Sequence, residues 1–311
     1  MTKSEPGIDD SIGVFLKIQA DIEAFEKDAS IYHEHNFDKR QDAIDFLEFH
    51  FISPIESLIE KSARPNQLLL LKQRADNIKL KLEAIDNNLF KKLRADIRAN
   101  GCVGKQFKNL VGKYIDFDAD GSEHEEAGYD NLDVFINGLL SPRAIPEQTA
   151  ALEPEMVFYQ KTPARIIFEL VEKAYVTKDD VFFDLGSGLG QATILVNLPT
   201  GAKAIGVEFE PAFCNYASDC AAQLNLPNVS FINADARKAD YSEGTVFFMY
   251  TPFKGEILQD VLLLLKEESL TRKIKIITYG PCTAEVASHG WLDIAVSNND
   301  NIYKPAVFTS I

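Results

Sequence analysis

A helix needs about 18 consecutive apolar residues to cross a bilayer, and no stretch of this chain approaches that; the runs at 68–71 and 261–265 are far too short. Cysteine is sparse. The four residues, at 102, 214, 220 and 282, show no C-x-x-C pairing and suit a reduced cytosol. Positive charge is also short, with 32 Lys and Arg against 47 Asp and Glu and a formal net charge of −15. Gripping a phosphate backbone requires clustered Lys and Arg, so this balance argues against nucleic acid and leaves basic partners as the ones its field would attract. The first ten residues contain no apolar signal region, so a cytoplasmic location is expected.

Glycine and proline are scarce over the first 115 residues, where apolar residues recur at helical spacing in 12–25, 43–59, 68–85 and 89–97. Pro54 is placed to kink or split the second stretch, and Pro65 to punctuate two helices. The pattern predicts a helical bundle over 1–115. His33 and His35 lie two apart, which turns them in different directions on a helix; with His50 they read as surface histidines, and no metal site is expected. The loop 116–127 begins D-x-D-x-D-G like a calcium-binding loop, but its twelfth position is Ala127 where a bidentate glutamate is needed. Residues 116–150 therefore read as an acidic linker and connecting segment, and 151–311 as the catalytic domain.

That last region carries the most informative motif, Val181-Phe-Phe-Asp-Leu-Gly-Ser-Gly-Leu-Gly-Gln191. An apolar run ends at Asp184, glycines alternate at 186, 188 and 190, and a helical stretch follows: a strand turning sharply into a helix at a cofactor site. A dinucleotide fingerprint would place its third small residue at 191, where this chain has glutamine. It also needs no acid two residues before its first glycine. Both departures favour a nucleoside ligand with an ammonium group and no pyrophosphate, S-adenosylmethionine.

Downstream, Lys203-Ala-Ile-Gly-Val-Glu208 predicts a second strand whose terminal carboxylate suits ribose hydroxyls. Val229-Ser-Phe-Ile-Asn-Ala-Asp235 predicts a third, with its acid placed for an adenine amino group. Strands at 245–250 and 273–279 follow, with helices at 211–224 and 255–266 between, so a parallel sheet is expected. The runs 292–296 and 302–311, joined by turn-forming Ser-Asn-Asn-Asp-Asn, predict a closing antiparallel hairpin. The fold expected is α/β, a seven-stranded Rossmann-like class I methyltransferase sheet with an N-terminal all-helical domain.

Upstream of the glycine loop, Tyr159-Gln-Lys-Thr162 precedes a proline-started helix, and Gly206-Val-Glu208 closes the second strand. Together with Asp-Leu-Gly-Ser-Gly-x-Gly-Gln, these residues resemble the disruptor-of-telomeric-silencing family of non-SET histone-lysine methyltransferases over 150–285. The resemblance implies that Tyr159 and Thr162 close over the methionine end of the cofactor. Asp184, Gly186 and Gly188 would face its amino acid part, Gln191 would support the loop, Glu208 would take the ribose and Asp235 the adenine, with Phe209 and Ala236 among the contacts. After the fourth strand this chain reads Tyr250-Thr-Pro-Phe253 where the family carries an Asn-Asn-Phe-type element.

The expected activity is S-adenosylmethionine-dependent methyl transfer, with protein-lysine N-methylation implied by the resemblance. A methylated small metabolite, or a non-catalytic cofactor-binding scaffold, are the alternatives. Methyl transfer asks mainly for in-line alignment and exclusion of water. Tyr250, Thr251 and Phe253, with Phe158 and Tyr279, are candidate walls of an acceptor slot, and Glu155 and Tyr250 are the candidate bases.

Overall fold

The computed structural model describes residues 8–59, 65–115, 128–140 and 144–311. The calcium-like loop at 116–127 lies outside the described residues. The chain forms two compact units, Met1–Lys92 with Lys113–Asp116, and Leu93–Gly112 with Phe117–Ile311.

The first unit is helical: α1 (Ile8–Lys27), α2 (Phe37–Leu47), α3 (Ser53–Ile59) and the long α4 (Pro65–Asn100), whose last turns belong to the second unit. A wide π turn over Glu48–Ile52 joins α2 to α3 and ends just before Pro54, which has no amide hydrogen to continue a regular ladder. Leu68, Leu71, Ala75, Ile78 and Leu82 recur at alternating steps of three and four and form the buried stripe of α4. The stretches 68–85 and 89–97, separate in the sequence pattern, are one continuous helix. Asp86 occupies the next position on that stripe, where its carboxylate accepts from Arg40 Nε (2.6 Å) and Gln41 Nε2 (2.7 Å). Arg40 is fully buried and also donates to the carbonyls of His33 and Glu34. What looks like a polar interruption is thus the counterion of a buried arginine, and the helix runs straight through.

The second unit opens with α5 (Lys105–Val111) and α6 (Asn131–Leu140), the latter inside the segment read as a connection from sequence. Then α7 (Ala164–Lys173), β1 (Val181–Leu185), α8 (Gln191–Thr200), β2 (Lys203–Glu208), α9 (Pro211–Gln223), β3 (Val229–Asn233), β4 (Val246–Met249), α10 (Gly255–Ser269), β5 (Lys275–Thr278), α11 (Cys282–Ala287), β6 (Leu292–Val296) and β7 (Ala306–Ser310) complete it. The sheet order is β3-β2-β1-β4-β5-β7-β6, with β7 antiparallel between β5 and β6. This is the class I order expected, closing hairpin included.

From β1 the chain works outward to β2 and β3, then returns to the other side of β1 with β4. The carboxyl ends of β1 and β4 therefore flank the switch point, where sheets of this kind bind ligands. Phenylalanines 182, 183, 247 and 248 on these two strands are essentially fully buried between helices on both faces and hold the strand ends rigidly.

Candidate active site

A cavity of about 380 Å³ opens at that switch point, the size range of small-ligand sites. Of the residues predicted from sequence, Tyr159, Thr162, Asp184, Gly186, Gln191, Glu208, Phe209, Asp235, Ala236, Tyr250, Thr251 and Phe253 all line it. Gly188 and Glu155 do not.

The glycine loop is shaped by the protein's own packing as much as by a ligand. Gly186, Gly188 and Gly190 adopt φ of +77°, +53° and +79°, open to glycine at little cost. A Cβ at 186 would lie 2.3 Å from Pro252, and one at 188 would lie 2.2 Å from the Tyr159 ring. At 190 it would meet Ala217 and Phe231 at 2.6 Å. Gly188 matters as the platform for Tyr159 and through its amide, which donates to Glu208 Oε2 at 2.6 Å.

Asp184 is buried at the end of β1 and accepts from the Thr193 hydroxyl at 2.8 Å. Burial, reinforced by the nearby Glu208, pushes its carboxyl up to about 7. Burial likewise raises Glu208, whose oxygens accept from Gly188 and from the amide of Glu210 at 2.8 Å. Asn233 at the end of β3 donates to the carbonyls of Glu208 and Phe209, fixing the strand end that carries them. Asp235 lies just past β3 and is gripped by Arg237 at 2.6 to 3.1 Å, which holds its carboxyl below the usual range.

Beside Asp184, the Ser187 hydroxyl and both side-chain heteroatoms of Gln191 are buried with no hydrogen-bond partner among the described residues. Buried polar atoms almost always find partners, so three such atoms on one wall of a cavity mark a ligand-binding face. Two deeply buried carboxylates, unpaired amide and hydroxyl groups and an open left-handed loop match an ammonium, a carboxylate and a ribose. The residues fit S-adenosylmethionine.

Tyr159 and Thr162 sit on a strip that α6 and the residues before it hold in place. The Tyr159 ring rests on Gly188 and meets Phe213 edge-on, with centroids 5.7 Å apart. Tyr129 donates to the Lys161 carbonyl and Lys161 to the Asn137 side chain. Thr162 does not cap α7. Pro163 stands at the cap position, and Asp133 supplies the missing acceptor, taking the Ala164 amide at 2.9 Å. Nothing local in the sequence links positions 133 and 164.

On the β4 side, segment 155–157 pairs with 252–254 through a Met156–Phe253 bridge. Glu155 is a correction to the sequence reading. Its carboxylate accepts from the Ile257 amide at 2.9 Å and caps α10, and the amides of Ile257 and Glu256 hold it below the usual range. Engaged there and outside the cavity, it is no base. Thr251 has φ +40°, a strained setting for a β-branched residue. Its hydroxyl donates to the Tyr279 carbonyl at 3.2 Å and accepts from the Cys282 amide at 3.1 Å, which ties the β4 end to the β5 end. The Tyr250 and Tyr279 rings lie 4.6 Å apart, and Phe158, Ile302 and Tyr303 continue the aromatic and apolar wall toward the mouth. Burial raises the phenol of Tyr250.

Ser187, Glu210 and Asp133 were not singled out from sequence. Ser187 lies inside the glycine motif, and Glu210 precedes Pro211, a helix-start signal that could have marked it.

A model of the family described as histone methylation protein DOT1 matches residues 155–269. No curated protein sequence matches the chain. Among solved structures, it is similar to an RNA methyltransferase from Salinibacter ruber in complex with S-adenosyl-L-homocysteine, at 23% identity, 49% of this chain, 92% of that one and a TM-score of 0.40. A precorrin-6y C5,15-methyltransferase from Geobacter metallireducens shares 16% identity over 50% and 92% of the two chains, with a TM-score of 0.38. An S-adenosylmethionine-dependent methyltransferase from Geobacter sulfurreducens shares 21% over 42% and 57%, with a TM-score of 0.32.

Proposed function

We propose that this chain, a class I S-adenosylmethionine-dependent methyltransferase, transfers the methyl group to the side-chain nitrogen of a protein lysine. The observation that carries the reading is that Tyr250, Phe253 and Phe158 line the same cavity as Asp184 and Gly186 of the glycine loop, within the segment matched by the histone methylation model.

The cofactor, when bound, supplies a methyl group already activated on a sulfonium. Asp184, Ser187 and Gln191 would hold its amino acid end, Glu208 its ribose and Asp235 its adenine. What remains for the protein is alignment and dryness. Tyr159 closes on Gly188, and Phe253, Met156 and Ile257 back the slot with buried apolar surface. A lysine entering such a slot loses hydration, which lowers its pKa and favours the neutral, nucleophilic amine. The Tyr250 phenol, raised by burial, stays protonated at neutral pH and orients the amine as a hydrogen-bonding partner without serving as its base.

Calorimetry with S-adenosylmethionine and with NAD tests the cofactor assignment, and preference for NAD overturns it. Incubation of the full chain with radiolabelled cofactor and a lysate tests the acceptor. Label should enter protein and, after acid hydrolysis, co-migrate with methyllysine. Label confined to small molecules or RNA defeats the lysine reading, and no transfer at all returns the chain to a cofactor-binding scaffold.

A further inference from the structure

We infer that Glu210 is a positioning residue for the cofactor, holding residues 148–152 as a strap across the adenosine end of the cavity. The inference rests on the cofactor assignment above. Residues 144–149 and 151–153 have neither helix nor strand, so nothing in their own backbone fixes them, yet Gln148 and Leu152 line the cavity. Two tethers hold this segment. At one end the Glu210 carboxylate accepts from the Thr149 amide (2.9 Å), the Thr149 hydroxyl (2.6 Å) and the Ala150 amide (2.6 Å). At the other, Glu153 pairs with Arg237 at 2.7 Å, and Arg237 in turn grips Asp235.

Each tether thus ends beside an acid assigned to the nucleoside. Glu210 lies two residues after Glu208 and donates its own amide to Glu208 Oε1 at 2.8 Å. The side chain is 1% exposed. Capping α9 would use only one of its acceptor sites, the bond from the Ala212 amide at 2.9 Å. The other three go to the strap. Burial works to raise this carboxyl, but the four donors outweigh it and hold it down to about 2, so the tether stays charged throughout the neutral range. Glu210 also lines the cavity, but the four donors occupy the lone pairs of its carboxylate, which leaves none to accept from a ligand. It sets the wall that ligand meets, and it keeps two like-charged carboxylates close together to do so.

Capping and strapping can be separated by substitution. Glu210→Asp keeps a good helix cap but is one methylene too short to hold Thr149 and Ala150 as well. Glu210→Gln replaces one accepting oxygen by a carboxamide NH2, a donor set against the Thr149 and Ala150 amides. For the full chain, calorimetry should show affinity for S-adenosylmethionine and for 5′-methylthioadenosine falling together, by roughly tenfold or more, in both variants. KM for the cofactor should rise by the same factor with kcat within about twofold. Cofactor-dependent protection of 144–153 from hydrogen exchange should disappear in the variants and persist in the glycine loop. Unchanged affinity for both ligands, or a lowered melting temperature with affinity intact, overturns the inference and leaves Glu210 a helix cap. If the unaltered chain binds neither ligand, the cofactor assignment itself fails.

Discussion

On the cofactor placement proposed above, Asp184 is the residue on which the chemistry of the loop turns. Its carboxyl is pushed up to about 7 because it is buried and shares the cavity with Glu208. A folded-state pKa above the unfolded one means the folded chain holds the proton more tightly, so this residue adds stability as pH falls from about 7 toward 4 and withdraws it as pH rises. An ammonium-bearing ligand needs the ionised form. Affinity for S-adenosylmethionine is therefore expected to fall by about tenfold per unit as pH drops below 7, with one proton released on binding. Asp184→Asn should flatten that dependence between pH 5.5 and 7 and weaken binding on the order of 100-fold at pH 7.5. Calorimetry in buffers of different ionisation enthalpy measures both; a wild-type affinity independent of pH would refute the assignment. Asp184 was legible in sequence because its place before the glycines has no use in a dinucleotide site. Glu155 was misread because a lone acid near the motif looks the same whether it faces a cavity or a helix end.

At the scale of elements, the strip carrying Tyr159 and Thr162 depends on α6. Asp133 takes the Ala164 amide at the start of α7 and the Asp130 amide at 3.1 Å, and burial raises its carboxyl. Asp133→Ala should cost about 1–2 kcal/mol of stability, as loss of a helix cap does, read as a fall of a few degrees in melting temperature. It should also loosen Tyr159 over Gly188 and raise the cofactor Kd. An unchanged melting temperature would remove Asp133 from this role. The strands of the sheet were legible to within a few residues because period, turn residues and acid tips agreed. The α6 support was not, since a cap supplied from 31 positions away leaves no local pattern. The long α4 was hidden for a related reason. Asp86 breaks an apolar stripe in sequence, and only the fold supplies the buried Arg40 that makes an acid belong there.

For the whole molecule, the division into units follows packing that no run of residues announces. The end of α4 and α5 belong with the sheet, where Arg98 donates to the Gln223 carbonyl and the Gly104 amide to the Leu198 carbonyl. Net charge, by contrast, is readable directly and has a consequence for the acceptor. At −15 the chain attracts basic proteins and repels acidic ones over distances set by the Debye length, about 10 Å at 0.1 M salt. For the lysine acceptor proposed above, that field would accelerate encounter but contribute nothing once the amine lay in the cavity. With a lysine-rich protein as acceptor, kcat/KM is expected to fall by roughly tenfold between 50 and 300 mM salt while kcat stays level. A neutral small acceptor would show neither change. Steady-state kinetics across that salt range therefore separates the two acceptor classes by the physics of approach, independently of which protein carries the lysine. A salt-insensitive kcat/KM toward basic proteins would leave the acidic surface without a part in substrate choice.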